Sequence, residues 1–425
     1  MSSTWVGDEP AVASGDAARS YVEQAVRVWV GAADPSVAIP RLPDQLARLF
    51  LRVEEYERPE RDRWGIWDFA SSENFHAGKL WEPEVDAWIA EVRRGLARTT
   101  ALESLWPDGR RFAVCLTHDV DLLSLQSTPQ QVLRFARAGL APGVAQRGDR
   151  LLRFARPAVR VARSGRAGIA RAPSTAETLD RSVAAEAKRG VAASYLFTAP
   201  PHGRGSRYDC VYAPGDACVF RGSRMPAGQM MSELAAEGFD VGLHGSYTAA
   251  LEPGALAAER TALESCTGLE LTTTRQHFLR WDVRTTPALQ EAAGLRVDST
   301  LGFNRNVGFR AGTSLPFHHF DVTTQTQLGL LEIPLAIEDT ALLSPGGLEL
   351  EFSDARGVVG QLLSRVAEVG GVATLLFHPD KFADRDWLEL YEWSLDQALD
   401  QGAWVTSLRG LADWWCEREQ RLLGG

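Results

Sequence analysis

No CxxC pair occurs in the chain. Its five cysteines, Cys115, Cys210, Cys218, Cys266 and Cys416, are odd in number and irregular in spacing. That argues against a disulfide framework and against a cysteine-based zinc site. There is no GxGxxG and no P-loop, so dinucleotide or nucleoside triphosphate binding has no glycine anchor. GxSxG is missing too, which removes the usual serine-hydrolase elbow. Positive charge is not in excess. A net charge of −10 does not suit a molecule that coats nucleic acid. No apolar run reaches the roughly 18 residues of a membrane span. The first twenty residues lack the basic start and apolar core of a signal peptide. A cytoplasmic location is the expectation that follows.

The 425 residues are enough for one large domain and a smaller one. Residues 1–105 read as a helical module. Leu46, Leu49, Phe50 and Val53 recur at i, i+3, i+4, i+7, and Val85, Trp88, Ile89, Val92 and Leu96 make a second stripe. Pro83 lies near the start of the second, where a missing N–H costs nothing. Trp64, Trp67 and Phe69 are expected to pack beneath these helices. From 106 to 425 the pattern changes to short apolar runs separated by helical segments. The runs cover 111–116, 193–199, 239–243, 271–276, 295–299, 328–335, 372–377 and 403–408. Thr286 as N-cap, Pro287 and Gly294 bracket one of the helices. Strands alternating with helices imply parallel pairing. The expected fold is α/β: a distorted (β/α) barrel of seven or eight strands behind the helical module. An open doubly wound sheet is its rival.

An arginine-rich insertion is read at 129–174. Residues 131–172 hold ten arginines, no lysine and one acid, Asp149. A solvated insertion explains this composition, as does peripheral contact with a membrane surface or a polyanion.

The ionisable residues fall at predicted strand ends, where a (β/α) barrel keeps its chemistry. In "VCLTHDVDLLS" the first run delivers His118, Asp119 and Asp121 to one point. The third run ends in His244, the fourth leads into Arg275 and His277, the fifth ends at Asp298, and the seventh at His378. The sixth carries Glu332 and continues toward Glu338 and Asp339. So many buried ionisable groups are costly without a task. Aspartate and histidine together suit a divalent ion such as Zn²⁺ with an open position for water. A spare carboxylate would be the base and a spare histidine the acid of a metal-assisted hydrolysis.

In order, "LTHDVD", "GLHGSY", "RQHFLRW", "DSTLGF" and "LLFHP" resemble the motifs of the polysaccharide deacetylase (NodB-homology, carbohydrate esterase family 4) superfamily. The likeness is to its branch with THDVD as first motif and a helical N-terminal module, and it runs from residue 110 to about 410. The resemblance implies Asp119 as general base, Asp121 and His244 as metal ligands, and Arg275 as the residue orienting the base. It also implies His378 as general acid and Asp298 as the residue tuning that acid. Thr248 stands where the second metal-binding histidine belongs, and His277 is our candidate to replace it. The implied substrate is an N-acetylated carbohydrate or related amide, and no nucleic acid. The implied setting is surface-glycan or exopolysaccharide metabolism. The implied cofactor is a divalent metal, Zn²⁺ foremost, with Co²⁺ or Ni²⁺ as alternatives. Arg310 in "GFRAGTSLPF", Ser246 and Trp281 are candidate substrate contacts. An inactive carbohydrate-binding relative stays open at this stage, as does a metal hydrolase of another non-peptide C–N bond.

Overall fold

The computed structural model describes residues 15–123, 175–200, 205–206, 208–210 and 212–424. The arginine-rich insertion at 129–174, with any membrane or polyanion contact through 131–172, lies outside the described residues. The strands are β1 (Ala113–Val120), β2 (Ser194–Phe197), β3 (Ala217–Phe220), β4 (Ser223–Pro226), β5 (Asp240–Gly245) and β6 (Thr273–Gln276). They continue with β7 (Val297–Asp298), β8 (Phe317–Asp321), β9 (Thr326–Glu332), β10 (Ile337–Glu338), β11 (Val372–Leu376) and β12 (Trp404–Thr406). All eight predicted runs contain a strand. The β3–β4 hairpin, β8 and β10 were not foreseen.

The main sheet runs β10-β11-β1-β2-β5-β6-β7-β9-β8, with β12 beside the start of β1. Its pairs are parallel, except for β8 against β9. The ring is closed by one piece of chain. β9 pairs with β7, and β10 pairs with β11. Between them the amides of Ile333, Leu335 and Ala336 donate to the carbonyls of Asp298, Leu301 and Thr374. The segment from Thr326 to Glu338 thus bridges from one side of the barrel to the other. This is the distorted barrel that the alternating pattern predicts, with the doubly wound sheet ruled out by the closure.

Alternation along each strand sends successive side chains to opposite faces. Val114, Leu116, Tyr195, Phe197, Val241 and Leu243 face the helix layer in one apolar cluster. Ala113, Cys115, Leu196, Val297, Leu331 and Val372 belong to a second. That second cluster also holds Trp29, Phe50, Val85 and Ile89 from the N-terminal helices and Trp415 from the last helix. The N-terminal helices therefore share a core with the barrel.

The first apolar stripe of the N-terminal region is two helices, Asp44–Phe50 and Val53–Glu57. Arg52 breaks it with φ +54°. Its buried guanidinium lies over the rings of Trp281 and Phe317 at 5.4 and 5.5 Å, so tertiary contact overrides the local periodicity.

Arg310, the expected substrate contact, is paired with Glu55 in the interior. Its Nε and Nη2 donate to Glu55 Oε1 and Oε2 at 2.8 and 2.7 Å. Both side chains are at most 2% exposed. This buried bidentate pair fastens the N-terminal module to the loop after β7. Removing one partner leaves an uncompensated charge. Glu55→Ala is expected to cost about 3–5 kcal/mol in chemical denaturation. The double variant Glu55→Leu with Arg310→Met should recover most of that loss.

A candidate metal centre at the strand ends

Asp119 lies on the same face of β1 as Thr117, and its partner comes from across the barrel. Arg275 of β6 donates from Nη1 to Thr117 Oγ1 at 2.8 Å and to Asp119 Oδ1 at 3.0 Å. Its Nε and Nη2 donate to Ser299 O and Oγ at 2.7 and 2.9 Å. β1 and β6 are not neighbours in the sheet, so the guanidinium spans the barrel interior. It is fully buried, and the Asp119 carboxylate neutralises it.

His118 does not join Asp119 and Asp121. It is one residue out of phase and points into the helix layer. There its Nε2 meets Glu186 Oε1 at 2.7 Å, its Nδ1 meets Phe377 O at 2.8 Å, and its ring stacks on Tyr195. It is a hydrogen-bonded core histidine.

Asp121 sits just past β1, where three imidazoles converge on its carboxylate. His244 Nε2 is 3.3 Å away, His277 Nε2 3.6 Å and His378 Nε2 3.9 Å. The ligating atoms of Asp121, His244 and His277 all lie within 4.8 Å of one another. His244 Nδ1–H donates to Arg275 O at 3.0 Å, which turns Nε2 toward Asp121. Against the effect of burial, Asp119 and Asp121 beside the ring raise its pKa above the ordinary histidine value. A histidine pinned at one nitrogen by a carbonyl, with the other turned toward a carboxylate and a second imidazole, is arranged as metal-binding histidines are. His277 is presented by a sharp turn in which Phe278 and Leu279 adopt φ +63° and +52°. Left-handed backbone at two large residues is strained and is typically kept for function. The donor set of one carboxylate and two imidazoles fits a divalent ion such as zinc.

Electrostatics agree with the geometry. Burial alone would push the Asp121 carboxyl up, yet His277, His244 and His378 hold it well below the usual carboxylate range. Burial likewise works against a charged His378. Asp339 overcomes it, aided by Asp121 and Asp119, and raises the imidazole from 6.5 to about 10.

Asp339, rather than Asp298, holds His378. Its Oδ1 meets His378 Nδ1 at 2.7 Å and its Oδ2 accepts the His378 backbone N–H at 2.8 Å. Asp298 alternates with the interior-facing Ser299 and so points out of the barrel. It accepts from Thr300 Oγ1 at 2.5 Å, and burial pushes it up to about 6. With Glu332 and His319 it forms a separate buried cluster. The clue to Asp339 was the pair Glu338–Asp339 at the end of a run, but sequence alone did not tell which acid faces the histidine.

Two further expected contacts turn elsewhere. Ser246 donates from N and Oγ to Glu259 at 3.0 and 2.5 Å, so it is bound to helix Ala255–Thr267. Trp281 is buried beside His319 and beneath Arg52 and Arg310. Among the described residues, aromatic groups near the site include Phe278, Tyr208 and Tyr247. Phe278 is 4.7 Å from the His277 ring, and Tyr208 is 5.4 Å from Phe278. Tyr247 donates to Trp64 O at 2.6 Å, so the N-terminal module reaches this rim.

No family model matches the chain, and neither does any curated protein. Solved structures do. One described as a polysaccharide deacetylase from Mycobacterium smegmatis is 18% identical, with 76% of this chain and 96% of that one covered and a TM-score of 0.48. Puue allantoinase is 13% identical over 75% of this chain and 95% of its own, with a TM-score of 0.47. A protein described as a polysaccharide deacetylase from Pseudomonas aeruginosa PAO1 is 14% identical over 76% and 97%, with a TM-score of 0.45.

The Asp339–His378 pair has a pH signature. The protonated imidazole is fully present below its ordinary value and is lost as pH rises through about 10. Asp339→Asn removes the main charge that holds the proton. Any rate that needs His378 protonated should then lose its alkaline limb at lower pH, with the acid limb unmoved. A pH–rate profile of both proteins checks this. An unchanged alkaline limb would show that His378 is not the titrating acid.

Proposed function

We propose that the protein is a metal-dependent deacylase of the polysaccharide deacetylase type, removing an N-acetyl or related acyl group from an amino sugar. The observation that supports it best is the convergence of Asp121, His244 and His277 beside a carboxylate, Asp119, and an imidazole, His378. A base and an acid beside a candidate metal site are what hydrolysis of an amide needs.

A divalent ion, Zn²⁺ foremost with Co²⁺ or Ni²⁺ as alternatives, would be held by Asp121, His244 and His277. When bound it supplies polarisation of the acyl carbonyl and a more acidic water. Asp119 accepts the proton of the attacking water while Arg275 fixes its carboxylate in place. His378 gives its proton to the nitrogen as the C–N bond breaks, and Asp339 keeps that imidazole oriented and charged. The products are a carboxylate and a free amine. Phe278 and Tyr208, beside His277, are the aromatic side chains we assign to sugar contact. Surface-glycan or exopolysaccharide metabolism is the setting we infer.

The test is acetate release from a panel of N-acetylated amino sugars and non-sugar amides. Release from the sugars, abolished by a chelator and restored by Zn²⁺, is expected. Release from the non-sugar amides alone would overturn the substrate class, and chelator-insensitive turnover would overturn the metal.

A further inference from the structure

His118 and Glu186 take no direct part in the proton transfers, yet both are fully buried. The imidazole stands between two ties. Its Nδ1–H donates to Phe377 O at 2.8 Å, and its Nε2 meets Glu186 Oε1 at 2.7 Å. Glu186, on helix Thr175–Arg189, also accepts from Tyr391 Oη at 2.5 Å and from Tyr195 Oη at 2.8 Å. Burial and the Glu186 charge push both phenols well above their ordinary value, so they stay donors. The ring itself is caged, with Tyr195 stacked on it at 4.6 Å and Tyr391 edge-on at 5.2 Å.

The tie to Phe377 lies just past the paired residues of β1 and β11. Their register runs from Ala113–Val372 to Thr117–Leu376, and Phe377 N–H then donates to Thr117 O at 3.1 Å. The carbonyl of that same Phe377 is the one the His118 ring takes. The next residue is His378, whose N–H and Nδ1 are held by Asp339. The residue after His118 is Asp119, held by Arg275. One imidazole thus joins the backbone beside the proposed base to the backbone beside the proposed acid. Glu186 and its two tyrosines fix that imidazole from behind.

We propose that His118 is a positioning residue, setting the distance between Asp119 and His378, a role that rests on the deacylase reading of the site. Each proton transfer works over hydrogen-bond reach, about 2.6–3.2 Å between heavy atoms. A misplacement of about 1 Å costs on the order of 10²-fold in rate. A buried polar network whose members are bonded to one another holds one arrangement. An apolar side chain at this position would fill the space but tie nothing to Phe377.

Two amides separate the ties. Asparagine carries an NH₂ near the place of Nδ1, and glutamine near that of Nε2. His118→Gln should keep the Glu186 contact and lose the Phe377 tie, and His118→Asn should do the reverse. Acetate release by the zinc-loaded full chain is the assay. His118→Gln should lose about 10²-fold in kcat with KM little changed, and His118→Asn less than about tenfold. Both should keep the zinc content of the wild type. The urea midpoint should fall further in His118→Asn, which leaves Glu186 without its imidazole. A merely structural histidine gives the opposite order, with activity following the urea midpoint and His118→Asn the slower. That order, or wild-type kcat in His118→Gln, would overturn the role and leave the deacylase reading standing. Should only one variant fold, its kcat decides: wild-type kcat in His118→Gln, or a loss of about 10²-fold in His118→Asn, overturns the role. No turnover of sugars or non-sugar amides by the wild type would overturn both.

Discussion

Asp121→Ala should bind no metal and lose at least about 10³-fold in kcat/KM. Its carboxylate faces His244, His277 and His378 together. Without it two imidazoles are left to hold a divalent ion, with no negative charge from this position. Metal catalysis is worth several kcal/mol of barrier, and each 1.36 kcal/mol is tenfold in rate. Asp121 is partly exposed and lies beyond the strand, so the fold should persist, and circular dichroism would check that. Metal analysis of His244→Ala and His277→Ala completes the test. Both are expected to lose metal. Retention by His277→Ala would remove that residue from the ligand set, and Thr248 would then mark a genuinely incomplete site.

Arg275→Met should destabilise the protein by about 3–5 kcal/mol, the usual result of stripping one partner from a buried pair. The guanidinium is completely buried and joins β1, β6 and β7 through four hydrogen bonds to Thr117, Asp119 and Ser299. Methionine fills much of the volume but leaves Asp119 as an unpaired buried carboxylate. Urea unfolding would show a lower midpoint with an unchanged slope. Arg275→Lys should rescue little, because an ammonium cannot reproduce the forked geometry. The metal should remain, because His244 is held by the backbone carbonyl of residue 275 and not by its side chain. Activity should fall with metal content intact, which separates positioning of Asp119 from assembly of the metal site. Loss of metal along with activity would mean that the arginine supports the whole site.

Much of this was legible from patterns of period two and 3.6. The eight apolar runs all hold strands, because a strand buried on both faces has to be apolar along most of its length. The ionisable groups at their ends were visible for the same reason, since they break those runs. Less legible was which neighbour in a pair faces inward. His118 and Asp119 are adjacent, and so are Asp298 and Ser299 and Glu338 and Asp339. One residue of phase separates a core histidine, His118, from a carboxylate that faces the barrel interior, Asp119.

The sequence by itself determined the class of fold, the strand ends that carry chemistry, and the identity of Asp121, His244, His277 and His378 as a set of candidates. These follow from local composition and spacing, which act over a few residues. Tertiary structure alone decided that Asp339 holds His378, that Arg310 is tied to Glu55, that Ser246 and Trp281 face away from the site, and that Arg275 crosses the barrel. Each of those depends on strand phase and on contacts between segments far apart in the chain. Such contacts form only where closing the barrel brings them within hydrogen-bonding reach, and no local pattern encodes that distance.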